Sequence, residues 1–519
     1  MRNFVRKYLG FIATVLVALL VILAVRVSEN GGKLTSSEPT AIAPTDSASQ
    51  PATTMDMAGY YSQQLTWTGC QDGFECTWLE VPLDYANPTA SSIKISVIRM
   101  KGDHAQGSLI LNPGGPGGSG IDYVRAIDYI MTKTLRDNFD IVGFDPRGVG
   151  QSTPVDCLDD QQTDAYLATD GTPDNQSEVD AAVSIYKQFA DECLQKSPEL
   201  MKFMDTVSAA KDVDILRAAL GDEKLNWLGK SYGTFLGATY ADLFPTKVGR
   251  MMLDGAIDPM LTNQDLGLGQ AIGFDNALNR WVANCIKSAD CPLKSGGSQG
   301  VKEVLDFLNK LDSHPGQLAD GREFTQALAV TAVIGPLYDK VYGWPELRKS
   351  MTDAFNGDYE AMGQSVDFYT SRDQSGHFAD NSNDAIMAVN CIDRPDRPSV
   401  ADIEKLVPEW QKKAPVFGDY LAWGNLACLN WTAPATGTPK KITADGAPTI
   451  LVVGTTNDPA TPYPWAVALA KELASGVLLT MDGDGHTAYY QGSECIDKYV
   501  DHFYLTGQAP AGVTCKDAP

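Results

Sequence analysis

Short apolar runs, each followed by a helix-like stretch, recur along most of the chain. Strand-like runs that alternate with helical patterns predict an α/β fold, in which a mainly parallel sheet is flanked by helices. In such a sheet the ligand-binding residues gather at the carboxyl ends of the strands. The runs predicted as strands are 92–100, 108–111, 141–144, 225–228, 250–253, 449–453 and 477–481.

The chain between residues 259 and 441 has a different pattern. Apolar residues at helical spacing predict helices at 301–311 and 325–333, and no series of strand-like runs occurs. We interpret this segment as a mostly helical cap, inserted between two parts of one core, 59–258 and 442–519. A separate downstream domain is the alternative. The insertion is favoured because the first sheet would otherwise lack the late strands and their loops.

The first 26 residues predict a membrane-spanning segment. Arg2, Arg6 and Lys7 precede the uncharged stretch 8–25, which is close to the roughly 17–25 residues that cross a bilayer as a helix. Positive charge on the amino side predicts that the remainder is exported. We expect an uncleaved single-pass signal anchor with a short cytoplasmic end. A cleaved signal peptide, which would leave a secreted protein, is the alternative, although no small-x-small site directly follows the segment. Residues 27–58 are rich in Ser, Thr, Pro, Ala and Gly and are expected to form a flexible linker.

Composition and charge narrow the possible partners. The 519-residue chain has 44% hydrophobic and 20% charged residues, as ordinary globular proteins do, and its formal net charge is −24. This acidic excess argues against nucleic acid or an anionic membrane surface as a partner. Membrane contact is expected only through the N-terminal segment, and the sequence does not indicate protein partners.

All ten cysteines lie beyond the apolar N-terminal segment, and in an exported protein an even number predicts disulfides. Spacing does not determine their connectivity, but nearest-neighbour pairing would give five local links. No Cys-x-x-Cys or His-Glu-x-x-His pattern occurs, so we expect no metal or other cofactor. The cysteines are Cys70, Cys76, Cys157, Cys193, Cys285, Cys291, Cys391, Cys428, Cys495 and Cys515.

The stretch Gly229-Lys230-Ser231-Tyr232-Gly233 lies between the strand-like run 224–228 and the helix-like run 234–244. A Gly-x-Ser-x-Gly turn from strand to helix strains its central residue and holds the serine hydroxyl clear of the sheet. Ser231 is therefore the candidate nucleophile. A glycine-rich turn with a solvated serine is the alternative, because the pattern is short, and the surrounding residues must decide between the two.

A serine hydroxyl becomes a strong nucleophile only when a base removes its proton. In this type of fold the acid and then the histidine follow the serine along the chain. His486, directly after the last predicted strand, is the candidate base, and Asp458, after the strand 449–453, is the candidate acid that orients it. Asp254 is the rival acid, because some enzymes of this architecture use the earlier strand. Alternatively, Asp458 caps the helix that begins near Pro464.

The attacked carbonyl also needs hydrogen-bond donors for its developing negative charge. The loop Asn112-Pro113-Gly114-Gly115-Pro116-Gly117-Gly118-Ser119-Gly120 follows a predicted strand, and its backbone N–H groups are unobstructed by side chains. We expect Gly115 to supply one donor and the N–H of Tyr232 to supply the other. A purely structural turn is the alternative. The phosphate-loop pattern Gly-x-x-x-x-Gly-Lys-Ser/Thr is absent, which argues against a nucleotide site.

Five short stretches carry a resemblance to one protein family. They are Asn112-Pro113-Gly114-Gly115-Pro116-Gly117, Asp145-Pro146-Arg147-Gly148-Val149-Gly150, Gly229-Lys230-Ser231-Tyr232-Gly233-Thr234, Asp458-Pro459-Ala460-Thr461-Pro462 and Gly485-His486-Thr487. With them the chain resembles the actinobacterial tripeptidyl aminopeptidases and related secreted serine peptidases of the α/β-hydrolase fold, the prolyl-aminopeptidase-like group. The resemblance extends from about residue 60 to the end of the chain.

The resemblance implies an exported serine hydrolase, and in particular an aminopeptidase that releases short peptides from free amino termini. Ser231 would attack the carbonyl of a peptide or small acyl substrate, His486 would transfer the proton, and Asp458 would orient His486. An esterase acting on lipids or small esters would use the same residues. A non-catalytic binding protein is a third interpretation, against which the complete Ser, Asp and His set counts.

An exopeptidase must also recognise a free ammonium group, which calls for carboxylates in the cap. Asp393 and Asp396 are hypothetical candidates because they lie beside Cys391. A cap turn fixed by a disulfide is the structural alternative for both. Order along the chain and family likeness suggest a link between Cys391 and Cys428, and Cys495 and Cys515 resemble a family pair.

Overall fold

The computed structural model describes residues 54–71 and 73–516. The predicted membrane anchor and most of the predicted linker lie outside these residues. Within the part that is described, no helix is both long and apolar enough to span a membrane. The first helix begins at Met57, two residues ahead of the predicted start of the core, and the side chain of Asp56 accepts a hydrogen bond from the N–H of Gly59 at its amino end.

The described chain forms one large sheet and a small hairpin. The strands are β1 Thr68–Gln71, β2 Phe74–Pro82, β3 Ser92–Met100, β4 Ser108–Asn112, β5 Asp140–Phe144, β6 Leu225–Lys230, β7 Val248–Asp254, β8 Gly316–Gln317, β9 Glu323–Phe324, β10 Ile450–Asn457, β11 Gly476–Asp484 and β12 Val513–Lys516. The large sheet has the order β1-β2-β3-β5-β4-β6-β7-β10-β11-β12, and β8 pairs with β9.

Most of the large sheet is parallel. The strands from β5 to β12 in this order pair in parallel, whereas β1, β2 and β3 add antiparallel pairs at one side. All seven predicted strands are present. Strands β1, β2 and β12 of this sheet were not predicted, and β1 and β12 have only four residues each, which is too short for a clear periodicity.

Helices cover both faces of the sheet and fill the region between β7 and β10. They are α1 Met57–Ser62, α2 Gly120–Arg125, α3 Ile127–Ile130, α4 Lys133–Asn138, α5 Asp160–Leu167, α6 Gln176–Lys196, α7 Thr206–Ala219, α8 Tyr232–Leu243, α9 Asn263–Cys285, α10 Gly297–Ser313, α11 Gln326–Leu337, α12 Gly343–Phe355, α13 Glu360–Tyr369, α14 Ser382–Asp393, α15 Val400–Lys413, α16 Gly418–Trp423, α17 Tyr463–Glu472 and α18 Glu494–Thr506. The two helices predicted at 301–311 and 325–333 correspond to α10 and α11.

The strands are buried on both faces because their side chains alternate between two apolar clusters. In β10, Ile450 and Val452 pack into one cluster, whereas Leu451 and Val453 pack into the other. Helices α9 to α13 enclose a further cluster around Trp281, which is fully buried. The helical segment between β7 and β10 therefore has an apolar core of its own. The exact boundaries of the predicted cap, 259 and 441, stay a prediction.

Five disulfides join the ten cysteines, and each pairs neighbours along the chain, as the nearest-neighbour prediction expects. They are Cys70–Cys76, Cys157–Cys193, Cys285–Cys291, Cys391–Cys428 and Cys495–Cys515. Disulfides in this number indicate that the chain folds in an oxidising, extracytoplasmic compartment.

Candidate active site

Ser231 lies at the sharp turn between β6 and α8, with backbone angles φ 54° and ψ −122°. These angles are strained for a residue with a side chain. The flanking glycines explain why the turn fits: a Cβ at Gly229 would lie 2.2 Å from the carbonyl oxygen of Gly233, and a Cβ at Gly233 would lie 2.7 Å from Oδ1 of Asn112. The N–H of Ser231 donates to the carbonyl of Asp254 at 2.9 Å, which ties the turn to the end of β7.

His486 follows β11 and is paired with a buried carboxylate. Its Nδ1 lies 2.9 Å from both oxygens of Asp458, and both side chains are fully buried. The carboxylate also accepts hydrogen bonds from the N–H groups of Ala460, Thr461 and Thr487 at 2.8–3.1 Å. With every oxygen of Asp458 engaged as an acceptor, the proton of the neutral imidazole belongs on Nδ1. Nε2 is then the basic nitrogen.

Asp458 does not cap the following helix. The residue before α17 is Pro462, and no side chain caps this helix. The oxygens of Asp458 instead hold the loop that leads to α17 and the imidazole of His486. The alternative interpretation, in which Asp458 caps the helix that begins near Pro464, is therefore wrong.

The serine turn and the histidine meet at the same edge of the sheet. A Cβ at Gly255, the residue after Asp254, would lie 3.3 Å from Cε1 of His486. The imidazole of His486 therefore lies against Gly255. This residue follows Asp254, whose carbonyl accepts the N–H of Ser231. Within the described chain Nε2 of His486 is buried and has no hydrogen-bond partner. In serine hydrolases the hydrogen bond between the serine hydroxyl and the histidine is often long in substrate-free structures and tightens when the substrate binds.

The glycine-rich loop after β4 packs directly against the serine turn. A Cβ at Gly114 would lie 2.6 Å from the carbonyl oxygen of Lys230 and 3.0 Å from the nitrogen of Tyr232. Gly114 also has φ +102°, which favours glycine. Among the described residues, neither the N–H of Gly115 nor that of Tyr232 donates to a protein acceptor. That these two N–H groups donate to a substrate oxygen stays a prediction.

Asp254, the rival acid, has different partners. Its carboxylate accepts hydrogen bonds from the N–H groups of Ala488 and Tyr489 at 2.9–3.1 Å. Nδ1 of His486 is bound by Asp458 instead. Asp458, and not Asp254, is therefore the carboxylate that contacts Nδ1 of His486, whereas Asp254 binds the loop after the histidine. The orienting role of Asp458 stays a prediction.

A residue of the helical segment also contacts the histidine. The carbonyl of Tyr338, at the end of α11, accepts the N–H of His486 at 2.8 Å, and the two rings pack edge to face with centroids 5.3 Å apart. Arg280 and Lys340 form ion pairs with Asp484, two residues before the histidine. The contact of Tyr338 could not be predicted, because no linear motif connects this residue to the loop around His486.

Asp393 and Asp396 have partners within the protein. The carboxylate of Asp393 accepts hydrogen bonds from the N–H and the hydroxyl of Thr206, whose Oγ1 lies 2.6 Å from the hydroxyl of Tyr232. Burial raises the pKa of Asp393 to about 6. Asp396 accepts the N–H of Asn263, the first residue of α9, at 2.9 Å. The ammonium-binding role of these two acids stays a prediction, and Thr206 is a contact that the sequence analysis missed.

The sheet order and the serine at the strained strand-to-helix turn define a serine hydrolase of the α/β-hydrolase fold. A family model described as TAP-like protein matches residues 414–515. "Serine protease Hip1" of Mycobacterium tuberculosis (strain ATCC 25618 / H37Rv) is 36% identical over 485 residues, which cover 87% of this chain and 91% of that protein. This chain therefore belongs to the TAP-like family of serine hydrolases.

Two further relatives carry different names. "Carboxylesterase B" of the same Mycobacterium tuberculosis strain is 35% identical over 468 residues, which cover 86% of this chain and 89% of that protein. "Tripeptidyl aminopeptidase" of Streptomyces lividans is 31% identical over 454 residues, which cover 85% of this chain and 83% of that protein. The family thus contains proteins named for peptide and for ester substrates.

Proposed function

We propose that the protein is an exported aminopeptidase that releases short peptides from free amino termini, with Ser231, His486 and Asp458 as its catalytic triad. The observation that carries the proposal is the pairing of His486 with the buried carboxylate of Asp458, beside the strained serine turn. The relatives named serine protease and tripeptidyl aminopeptidase support the choice of a peptide substrate.

The proposed reaction begins when Oγ of Ser231 attacks the scissile carbonyl while Nε2 of His486 takes the hydroxyl proton. The N–H groups of Gly115 and Tyr232 donate to the oxyanion of the tetrahedral intermediate. The imidazolium, stabilised by Asp458, then gives its proton to the leaving amine, and the C–N bond breaks. Water attacks the resulting acyl-enzyme with His486 as base, which releases the short peptide as an acid and restores the serine.

An esterase is the second candidate function. The relative named Carboxylesterase B favours it, because its similarity to this chain is nearly as high as that of Hip1. Both functions use the same triad and differ in what the segment between β7 and β10 admits to the serine. The choice between them therefore depends on the substrate.

One set of assays separates these functions. A tripeptide p-nitroanilide with a free amino terminus, its N-acetylated form and a short-chain p-nitrophenyl ester are offered to the wild type and to Ser231→Ala. We expect turnover of the free tripeptide, little turnover of the acetylated one, and loss of both peptide and ester turnover in the variant. Equal turnover of the two peptides would contradict the aminopeptidase proposal, and exclusive turnover of the ester would favour the esterase.

A matched control is available on the surface. Oγ of Ser313 lies 2.8 Å from Nδ1 of the neighbouring His314 and is exposed. Ser313→Ala removes a hydroxyl from a serine–histidine contact that has no part in the proposed site, so its activity should equal that of the wild type. If Ser231→Ala retained activity as Ser313→Ala does, Ser231 would not be the nucleophile.

A further inference from the structure

A buried lysine lies next to the proposed nucleophile. Lys230, the last residue of β6, is completely buried. Its Nζ donates to the carbonyl of Tyr489 at 2.8 Å and lies 6.0 Å from the centroid of the Tyr489 ring. A fully buried ammonium group is costly unless it is paired, and an apolar side chain would fill the same space without this cost. We therefore expect the ammonium group of Lys230 to have a structural or functional role that an apolar side chain could not fulfil.

Asp254 reaches the same tyrosine from the neighbouring strand. Its carboxylate accepts the N–H of Tyr489 at 2.9 Å and the N–H of Ala488, and its own carbonyl accepts the N–H of Ser231. One peptide unit at Tyr489 offers its N–H to Asp254 and the next offers its carbonyl to Lys230. The side chains of Lys230 and Asp254 thus both bind Tyr489, which lies in the loop after His486.

The loop that they hold is conformationally strained. Thr487 has φ 65° and Tyr490 has φ 60°, both in the left-handed region that residues with side chains rarely adopt. The N–H of Tyr490 is bound by Asp497 of α18 at 2.8 Å. Strained backbone of this kind persists only where the surroundings impose it. The contacts at Tyr489 lie between the two strained residues and three residues after His486.

Charge supports the same arrangement. Burial raises the pKa of Asp254 and lowers the pKa of Lys230, and in each case the opposite charge of the other residue opposes the shift. The fully buried carboxylate and ammonium groups therefore stabilise each other's charged forms. In the proposed reaction neither side chain takes part in a chemical step.

We propose that Lys230 and Asp254 are positioning residues, which hold the loop after His486 against the serine turn and so set the approach of the imidazole to Ser231. This inference rests on the proposed function, because it assumes that His486 serves Ser231 as base. A misplacement of about 1 Å between catalytic groups is enough to cost about a hundredfold in rate. The effect belongs to the chemical step rather than to substrate binding.

The first test replaces Lys230 by methionine, which keeps an unbranched apolar stem and removes the ammonium group. We expect kcat for the substrate that the wild type turns over to fall by about ten- to a hundredfold, with KM unchanged. The rate at which a fluorophosphonate labels Ser231 should fall in parallel. Lys440→Met is the matched control, because Lys440 forms an exposed ion pair with Asp242, and both rates should equal those of the wild type.

A second variant separates positioning from folding. Lys230→Met leaves the buried charge of Asp254 without its opposite charge, whereas Lys230→Met combined with Asp254→Asn leaves neither charge. The melting temperature of the double variant should therefore recover toward that of the wild type, while kcat stays low because the hydrogen bond from Lys230 to the carbonyl of Tyr489 is still absent. Recovery of both quantities together would overturn the inference and assign the pair a purely structural role.

Failure of the inference and failure of the proposed function are distinguishable. If the wild type turned over substrate and its Ser231 were labelled, but Lys230→Met kept the wild-type kcat, the inference alone would be overturned. If Ser231 of the wild type were not labelled, the proposed function would be overturned and the inference with it.

Discussion

Replacing Asp458 by asparagine changes one oxygen of the carboxylate to an NH₂ group. Oδ1 accepts two backbone N–H groups, those of Ala460 and Thr461, whereas Oδ2 accepts one, that of Thr487. The amide oxygen is therefore better placed at Oδ1, where it leaves fewer N–H groups without an acceptor. The NH₂ group then takes the position of Oδ2, 2.9 Å from Nδ1 of His486. There the NH₂ group competes as a donor with the Nδ1 proton, although the amide oxygen lies at the same 2.9 Å from Nδ1, and this competition favours the tautomer with the proton on Nε2. The histidine then has no basic nitrogen facing Ser231.

The expected loss follows from this reversal. In a serine triad the loss of the orienting carboxylate, with the wrong tautomer in its place, costs about 10⁴-fold in kcat, which corresponds to about 5 kcal/mol of transition-state stabilisation. The N–H donors of Gly115 and Tyr232 are untouched, so residual turnover should exceed that of the uncatalysed reaction. KM should stay close to the wild-type value, because Asp458 is fully buried behind the imidazole.

The assay compares kcat and KM of the wild type, Asp458→Asn and Asp275→Asn on the substrate that the wild type turns over. Asp275 is a matched control, because its buried carboxylate likewise accepts two backbone N–H groups, those of Val416 and Phe417, but is not bonded to a histidine. Asp275→Asn should alter the melting temperature more than kcat. A loss smaller than about tenfold in Asp458→Asn would refute the role of Asp458.

Three further predictions concern the glycine-rich loop after β4, a buried ion pair and the pH dependence of stability. Gly114→Ala should lower kcat by about a hundredfold, because the added methyl group would displace the N–H groups of Gly115 and Tyr232. Gly492 has a similar φ and open space around it, so Gly492→Ala should leave kcat unchanged. Equal kcat values for the two variants would contradict the predicted role of the loop. Arg147→Met should lower the free energy of unfolding by about 3–5 kcal/mol in urea denaturation, because the buried carboxylate of Asp212 would lose its oppositely charged partner. Lys498→Met, which removes an exposed ion pair with Glu494, should have almost no effect on that free energy. Burial raises the pKa of Asp384 to about 7, so the folded state keeps a proton that the unfolded chain releases. The contribution of this group to stability should therefore fall as pH rises from about 4 to about 7, and Asp384→Asn should weaken that dependence of the melting temperature; an unchanged dependence would count against it.

The sequence was informative wherever a function depends on local backbone. The Gly-x-Ser-x-Gly turn and the apolar runs of β4, β6, β7 and β10 have short-range signatures, so the α/β-hydrolase fold and the family were predicted and are confirmed. Disulfide pairing between sequence neighbours was also confirmed, since each link closes a local loop. The order Ser, Asp, His placed Asp458 near His486 because the two follow adjacent parallel strands.

Contacts between distant segments could not be predicted in the same way. The carbonyl of Tyr338 binds His486 through the packing of α11 against the histidine loop, and no periodicity in either segment encodes that contact. Asp393 was noticed for its place beside Cys391, but its partner Thr206 comes from the start of α7, which a linear pattern does not reveal. The roles of the individual site residues therefore remain predictions that the experiments above address.

The position of β7 in the sheet has a consequence for biosynthesis. β7 pairs with β6 on one side and with β10 on the other, yet all of residues 255–449 are made between them. A nascent chain that has not reached Ile450 presents Met251 to Asp254 as an unpaired, apolar sheet edge, which is the kind of surface that seeds aggregation. No disulfide of the described chain bridges that gap. Completion of the sheet thus requires β10, which is made only after residues 255–449.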